Sequence, residues 1–437
     1  MAERYDVAVV GGGPAGMAAA ATAARAGGRV ALVDGAPRPG GQYWRHRPGH
    51  EPGGTYTSLH AALDPVHHHA DSPVWFVEPG FTLHTPGREI AADRLVLATG
   101  AHDRPLPFPG WDLPGVMTPG GAQALLKGQG VVPGRRIVVA GAGPFLLAVA
   151  AHLAAAGVEV AGVYEAASRA ALLRYATVPA PGKATEAARY AAVLGRRRVP
   201  YRPGHAVTAA HGDRAVEAVT VSRLADGRTR QITCDTVAVA YGFTPRLELA
   251  TALGCATHLA ADGTLVVTTD PAQRTTVPGV YAAGEITGIG GSALALVEGQ
   301  LAGHAATGTP PPTRLLRRRT ALRRFAAAMN AIHAPPAGWP DWLTPTTPIC
   351  RCESVPYGRL AEAVTDLGAT TARTVKLLAR PGMGLCQGRI CGYPTACLTA
   401  HLTGRTTTDD DLAAFAERPL AQPVPLGELS ETRSHVP

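Results

Sequence analysis

The chain has 437 residues, of which 46% are apolar and 17% charged. That length exceeds one ordinary core and predicts two to three domains of a soluble protein. Its formal charge of +8 comes mostly from arginine, but the arginine-rich stretches lack the interleaved aromatic residues of a nucleic-acid surface. No apolar run reaches membrane-spanning length without a charge or a glycine. We therefore predict a cytoplasmic chain in which clustered cysteines do metal or redox work.

The N-terminal stretch has the pattern strand, glycine turn, helix, strand, acid. The apolar run Val7 to Val10 precedes glycines on the G-x-G-x-x-G spacing, and an alanine-rich segment follows. Such a turn lets a pyrophosphate approach the backbone at the positive end of a helix. Asp34 stands 18 residues after Gly16, where a carboxylate accepts hydrogen bonds from an adenosine ribose. The predicted binding residues are Gly11, Gly13, Pro14, Ala15, Gly16 and Asp34.

Those glycines do not distinguish FAD from NAD, but two later segments do. The stretches at 94–110 and 275–291 each contain an apolar strand followed by a glycine turn, and they resemble the two-dinucleotide-domain flavoprotein superfamily. The resemblance implies FAD, with Thr99 and Gly100 at the chain's exit from the FAD domain and Gly284 and Glu285 beside the flavin ribityl and phosphate. The superfamily usually has Asp where this chain has Glu285, so we expect a shifted or water-mediated contact. A further flavin-proximal loop is expected at Gly41 and Gln42.

The segment 134–167 repeats the strand–turn–helix–strand plan. Gly141, Gly143 and Glu165 stand at the positions expected for a second dinucleotide site. Leu146 replaces the third glycine, and its branched side chain either pushes the helix from the strand or requires small residues opposite. The pattern predicts an NAD-like fold and leaves open NAD(P), another adenine nucleotide or an idle pocket.

Disulfide reductases of this superfamily need a dithiol stacked on the flavin. Cys234 and Cys255 are isolated, and Cys386 and Cys391 lie far beyond the position of such a pair. This argues against disulfide reduction.

The C-terminal region contains C-x-C, 33 intervening residues and then C-x4-C. Four thiolates suit Zn²⁺ or an iron–sulfur cluster. Structural zinc favours C-x2-C hairpins, whereas a C-x-C pair is suited to hold one iron of a two-iron cluster while the other pair holds the second. Zinc remains the alternative. Backbone N–H groups of the glycine-rich loop are expected to donate to cluster sulfurs.

The stretches CRCE, GMGLCQGRICG and ERPLAQPVPLGEL resemble the bacterioferritin-associated-ferredoxin (BFD)-type [2Fe-2S] domain found in the flavin-containing alpha subunits of bacterial opine oxidase, hydrogen cyanide synthase and hydroxyproline or proline dehydrogenase complexes. The resemblance extends over nearly the whole chain. It implies cluster ligation by Cys350, Cys352, Cys386 and Cys391. It also implies a partner flavoprotein of amino-acid-oxidase type and leaves room for a small ferredoxin-like subunit.

The predicted fold class is α/β, with two Rossmann-like three-layer nucleotide-binding domains and a small C-terminal BFD-like [2Fe-2S] domain. The expected bounds are 1–117 with 246–306 for the FAD domain, 118–245 for the inserted NAD(P)-like domain, 307–345 for a linker with a basic helix, 346–408 for the BFD-like domain and 409–437 for a C-terminal tail.

The resemblance implies that an amino or imino acid is oxidised at a partner's flavin while this chain passes electrons outward. The sequence offers no convincing proton-abstracting group. His102 follows the Thr99–Gly100 turn, which leaves open a position near the isoalloxazine, but a lone loop histidine is more often solvated. The run His67 to His69 is expected in a surface loop rather than at a metal site. The arginine-bearing helix at 314–325 is expected to face solvent or to dock a partner. The alternatives are a self-sufficient NAD(P)H-dependent reductase that donates to ferredoxin or quinone, and a structural partner with idle pockets.

Overall fold

The computed structural model describes residues 3–175 and 183–432. The strands are β1 Glu3–Val10, β2 Val30–Val33, β3 His67–His69, β4 Phe76–Glu78, β5 Thr82–Thr85, β6 Arg88–Leu97, β7 Ala101–Asp103, β8 Val116–Met117, β9 Arg136–Ala142, β10 Glu159–Glu165, β11 Tyr201–Pro203, β12 His205–His211, β13 Ala218–Arg223, β14 Thr229–Thr233, β15 Thr236–Tyr241, β16 Phe243–Pro245, β17 Thr257–Leu259, β18 Leu265–Val267, β19 Val280–Ala282, β20 Pro348–Cys350 and β21 Val355–Pro356. The helices are α1 Pro14–Arg25, α2 Thr55–Ala61, α3 Pro119–Ala124, α4 Phe145–Ala155, α5 Arg169–Tyr175, α6 Lys183–Arg196, α7 Glu248–Ala252, α8 Ser292–Ala306, α9 Thr313–Ile332, α10 Tyr357–Thr365, α11 Ala372–Ala379, α12 Gly392–Leu402, α13 Asp409–Ala416 and α14 Leu426–Thr432. The outermost predicted bounds, residues 1 and 437, lie outside the described ranges.

The first sheet has seven strands in the order β3-β2-β1-β6-β5-β4, and β19 also pairs with β6. Strand β1 lies parallel between β2 and β6. Its residues Val7 to Val10 are all buried, as expected for a central parallel strand that is covered on both faces. The parallel register brings the carboxyl ends of β1, β2 and β6 to one edge, where the predicted nucleotide site lies.

Helices α1 and α8 pack against each other at very short range. A Cβ added at Gly299 would lie 2.1 Å from the carbonyl oxygen of Ala15, and one at Gly303 would lie 2.6 Å from that of Ala19. Only glycine permits such an approach. This packing anchors the N-terminal end of α1 beside the glycine turn.

The second sheet is parallel, in the order β11-β10-β9-β15-β8. Leu146, at the position of the missing third glycine, is buried in a core that includes the small residues Ala122 and Ala238. Leu146 is thus accommodated within the apolar core of the second sheet. An antiparallel pair, β7 with β16, joins the two sheets where the chain leaves the first one and returns to it.

The C-terminal region packs against both sheets. Cys350 and Cys391 belong to the core that includes strands of the second sheet, whereas Phe415 and Ala421 belong to the core of the first. The predicted tail begins as α13, which has a capping box between Thr408 and Asp411. Residues 409–421 are therefore an integral part of the fold.

The expectation of a surface loop at the histidine run is wrong, because these residues form β3 at the edge of the first sheet. His69 is buried, and its Nε2 lies 3.1 Å from the Tyr5 hydroxyl. Among the described residues, no helix combines the length and apolarity required to span a bilayer.

Candidate functional site

The first glycine turn is tightly packed at Gly11 and Gly16 but faces open space at Gly13. Gly11 has φ +105°, and a Cβ there would lie 2.3 Å from the carbonyl oxygen of Ala98. A Cβ at Gly16 would lie 1.7 Å from the carbonyl oxygen of Gly11. A Cβ at Gly13, by contrast, would have no atom within 4 Å, and Pro14 starts α1 directly after it. This open space at a helix N-terminus suits a phosphate group.

Asp34 lies beside the same turn. Its Oδ2 accepts a hydrogen bond from the Gly12 N–H at 2.8 Å, and its Oδ1 accepts one from the Ala36 N–H at 3.2 Å. Burial raises the pKa of this carboxyl. The carboxylate is thus held at the carboxyl edge of the first sheet, where it can accept further hydrogen bonds from hydroxyl groups.

Two other predicted segments meet this turn. The Gly40 N–H donates to the carbonyl oxygen of Gly12 at 2.6 Å, and a Cβ at Gly41 would lie 2.8 Å from the Cα of Gly13. Gln42 follows, and its Oε1 accepts from Nε of Arg45 at 3.2 Å. A Cβ at Gly284 would lie 2.9 Å from the Cβ of Ala15.

Thr99 and Gly100 follow β6 and lie at the same edge of the first sheet. The Thr99 hydroxyl donates to the carbonyl oxygen of Arg246 at 2.7 Å, and Gly100, at φ +73°, faces open space. The structure therefore brings the predicted FAD residues to one sheet edge, and open backbone at Gly13 and Gly100 fits a dinucleotide there.

Glu285 is turned toward its own loop. Its carboxylate accepts hydrogen bonds from the N–H groups of Gly290 at 3.1 Å and Gly291 at 2.8 Å. Burial raises its pKa. The longer side chain thus caps the loop that precedes α8.

Sequence reasoning missed Glu298, a fully buried carboxylate in the mostly apolar helix α8. It accepts hydrogen bonds from the Gly284 N–H at 3.2 Å and the Thr287 hydroxyl at 2.9 Å. Arg319 and Arg323 of α9 pair with it at 3.3 and 2.7 Å. Two arginines of the basic helix thus bind this domain, and their four-residue spacing was the available signal.

The second sheet repeats the glycine–acid arrangement. Glu165 accepts hydrogen bonds from the Gly143 N–H at 3.1 Å and the Ala167 N–H at 3.0 Å. A Cβ at Gly141 would lie 1.7 Å from the carbonyl oxygen of Ala240, so this glycine is required by packing alone. His333, which follows α9, places its Nδ1 3.3 Å from Glu165 Oε1.

The four predicted cysteine ligands form one group. Their side chains line one cavity, in which Cys391 lies beside Cys350 and Cys386 and Cys352 lies beside Cys386. The hydrogen bond from Cys391 lowers the pKa of Cys350 to about 6 and likewise lowers that of Cys386. The contacts with Cys350 and Cys386 raise the pKa of Cys391, and burial raises that of Cys352, so two of the four sulfurs favour the thiolate and two favour the thiol.

Backbone geometry supports this group. A Cβ at Gly384 would lie 2.4 Å from the Cβ of Cys352, so the two cysteine loops approach at a distance that only glycine allows. The N–H groups of Gly382 and Gly388 donate to the sulfurs of Cys350 and Cys386. All four cysteines line a cavity of about 200 Å³ with Trp111.

Within residues 3–175 and 183–432, no three His, Cys, Asp or Glu side chains are placed to hold a single metal ion. Zinc and a two-iron cluster can each be bound by four thiolates, so this placement does not favour one group over the other.

The cysteine loop contacts the connector between the sheets. Nε2 of His102, in β7, donates to the carbonyl oxygen of Arg389 at 2.8 Å, and Arg389 also pairs with Glu248 at 2.7 Å. The guanidinium of buried Arg104 lies 4.6 Å from the ring centre of Tyr393. The expectation that His102 faces solvent is wrong, because burial of its ring lowers its pKa.

Comparisons with known proteins agree with this layout. A family model described as pyridine nucleotide-disulphide oxidoreductase matches residues 5–308. The chain is 33% identical to an opine oxidase subunit of Agrobacterium tumefaciens (strain Ach5), over 98% of this chain and 92% of that one. It is 34% identical to hydrogen cyanide synthase subunit HcnB of Pseudomonas aeruginosa, over 88% of this chain and 90% of that one.

Among solved structures, L-proline dehydrogenase from P. horikoshii superposes with a TM-score of 0.71 and 23% identity, over 98% of this chain and 80% of that one. At this identity the match establishes the fold. Its coverage extends beyond the part matched by the family model into the cysteine-bearing region.

Proposed function

The chain belongs to the pyridine nucleotide-disulphide oxidoreductase family and is an FAD-dependent oxidoreductase, and from this premise we propose that it is the electron-transferring subunit of an amino-acid or imino-acid dehydrogenase complex. Its relatives include named subunits of opine oxidase and hydrogen cyanide synthase. The proposed substrate class is that of opines, proline or hydroxyproline, oxidised on a partner flavoprotein of amino-acid-oxidase type.

We assign FAD to the edge of the first sheet. Gly13 and the start of α1 would face the pyrophosphate, Asp34 would accept from the adenosine ribose, and Gly41, Gln42, Thr99, Gly100 and Gly284 would line the remaining length. Glu285 keeps the loop before α8 closed through its bonds to Gly290 and Gly291. The domain division proposed from the sequence follows: 1–117 with 246–306 for FAD, 118–245 for the insert and 346–408 for a BFD-like [2Fe-2S] domain.

The observation that carries the proposal is the meeting of four cysteine side chains from two separate loops, beside the connector that follows Gly100. Cys350, Cys352, Cys386 and Cys391 would hold a [2Fe-2S] cluster. When bound, FAD takes up electrons in pairs and releases them singly, and the cluster carries one at a time. The His102 bond to Arg389 fixes the cysteine loop against the strand that leaves the flavin edge. The glycine N–H groups would stabilise negative charge on the sulfurs.

Metal and cofactor analysis tests this proposal. The full chain, purified without oxygen, should contain FAD together with about two irons and two acid-labile sulfides per chain. Cys350→Ser and Cys386→Ser should lose the iron but keep FAD, whereas Cys397→Ser is the matched control from the same region. Stoichiometric zinc, or iron retained in both ligand variants, would contradict the assignment.

Turnover by the isolated chain tests the electron-transfer role. Alone it should not oxidise proline, hydroxyproline or an opine with an artificial acceptor, because the proposed oxidation site lies on the partner. Co-expression with an adjacent-gene flavoprotein should restore turnover. Robust oxidation by the pure chain would refute the electron-transfer role while leaving the cofactor assignment intact.

A further inference from the structure

Helix α9 connects the two nucleotide-type sheets. Near its start, Arg319 and Arg323 pair with buried Glu298 of α8. Further along the helix, the Asn330 amide donates to the carbonyl oxygen of Ile289 at 3.0 Å. The helix is therefore fixed along the loop that precedes α8, and the direction of its C-terminal end is set by these contacts.

The residue that follows α9 reaches the second sheet. Nδ1 of His333 lies 3.3 Å from Oε1 of Glu165, and the two side chains are only 9% and 2% exposed. This nitrogen has no hydrogen-bond partner within the described residues, so its contact with Glu165 is an ion-pair approach and not an aligned hydrogen bond. Glu165 already accepts from the N–H groups of Gly143 and Ala167, so His333 covers the remaining side of the carboxylate.

Asp34 provides an internal comparison. It accepts from the N–H groups of Gly12 and Ala36; Ala36 corresponds to Ala167 of the second sheet, whereas Gly12 stands one position before the equivalent of Gly143. In the described part of the chain, no basic side chain lies within ion-pair distance of Asp34. Each acid thus accepts two backbone hydrogen bonds, one from the glycine turn and one from the residue two positions after it, but only Glu165 has a basic side chain within ion-pair distance.

We propose that His333 is a specificity-determining residue that closes the ribose-binding side of Glu165, so that the second pocket excludes nicotinamide dinucleotides. The ribose hydroxyls would have to displace a buried imidazole from a buried carboxylate, and α9 is held in place by Glu298 and Ile289. Electrons then reach the flavin from a source other than NADH or NADPH. This inference rests on the fold and does not depend on the cysteine group.

Binding of ADP-ribose, which carries the adenosine ribose without the nicotinamide, tests the role of His333. By calorimetry, the FAD-loaded wild-type chain should show no saturable binding, whereas His333→Ala should bind at least about tenfold more tightly because the carboxylate becomes available for two hydrogen bonds. Adding Glu165→Gln to that variant should abolish the gain. His258→Ala removes an exposed histidine and is the control.

Each result decides the question. Wild-type binding unchanged by His333→Ala would refute the closure, and so would absence of binding in both His333→Ala and His333→Ser when FAD content and circular dichroism match the wild type. Anaerobic stopped-flow mixing with NADH needs no variant: rapid loss of wild-type flavin absorbance would overturn the exclusion. Iron content would be unaffected in every case, which separates this inference from the proposed cluster.

Discussion

Nε2 of His102 donates a hydrogen bond of 2.8 Å to the carbonyl oxygen of Arg389, across 287 positions of sequence. Arg389 lies between Cys386 and Cys391, and His102 is the second residue after Gly100. One imidazole therefore links the predicted flavin edge to the cysteine loop. Since the carbonyl can only accept, this nitrogen carries the proton.

Replacing His102 should loosen this link. His102→Ala removes the donor and leaves the Arg389 carbonyl without it, which should lower the free energy of unfolding by about 1–3 kcal/mol. Urea unfolding followed by circular dichroism measures the change, and the exposed residue in His258→Ala is the control. Equal stability of the His102 variant and the wild type would show that the contact has no structural weight.

The stability of the fold should depend on the ion pairs that Glu298 forms with Arg319 and Arg323, here called the Glu298 network. Arg323→Met removes a guanidinium that lies against a carboxylate with no exposed surface, so the destabilisation should approach the roughly 3–5 kcal/mol of a broken buried pair. Arg324→Met, one position along α9, changes an exposed arginine and should have little effect. Thermal unfolding of both variants gives the comparison, and similar midpoints would count against the network.

Substitution of Gly13 should weaken FAD binding without lowering the stability of the fold. The added methyl of Gly13→Ala contacts no protein atom within 4 Å, and the residue has φ −73°, so the apo chain should keep its stability. The methyl would occupy the space assigned to the pyrophosphate, and overpacking of this kind should weaken FAD binding about tenfold or more. Fluorescence titration of apo protein with FAD measures this. Gly195→Ala, also free of contacts within 4 Å, is the control, and equal FAD affinity would refute the phosphate position.

His152 should make the second sheet acid-sensitive. Burial, followed by the charges of Lys127 and Arg189, lowers its pKa from 6.5 to about 4. The unfolded chain then binds a proton that the folded chain does not, so stability is complete above pH 6.5 and falls as the pH drops toward 4.

Unfolding midpoints of the wild type and His152→Gln, measured between pH 4 and 7, check this dependence. The variant should show a shallower loss of stability on acidification, because its side chain does not titrate. Parallel pH profiles would show that the His152 side chain contributes nothing to the acid sensitivity and would contradict the expected dependence.

Local sequence patterns were sufficient to predict part of the fold and part of the candidate site. Gly11, Gly16 and Asp34 follow from spacing because each depends on neighbours in the same strand–turn–helix unit, and the structure places them together. The cysteines were predicted as a group because thiolates with glycine-rich surroundings have few other uses in such a chain. The family relationship was also confirmed.

Long-range polar contacts were not predictable in the same way. The partners of Glu298 and Glu165 come from α9 and the residue after it, and nothing in either acid's own segment indicates which basic residue will reach it. Likewise, His102 lacks a local signal because its partner is a backbone carbonyl, which every residue possesses. The histidine run was misassigned because strand pairing with β2, not residue type, decides its conformation.

The first sheet begins at Glu3, yet its core includes Phe415 and Ala421, and the Ala421 N–H donates to the carbonyl oxygen of Trp75 at 2.8 Å. During translation, this hydrophobic core therefore stays incomplete until the segment that contains Phe415 and Ala421 has left the ribosome. Nascent chains would expose apolar surface during that interval, so chaperone availability should govern the yield of recombinant protein more than for a domain built from contiguous sequence.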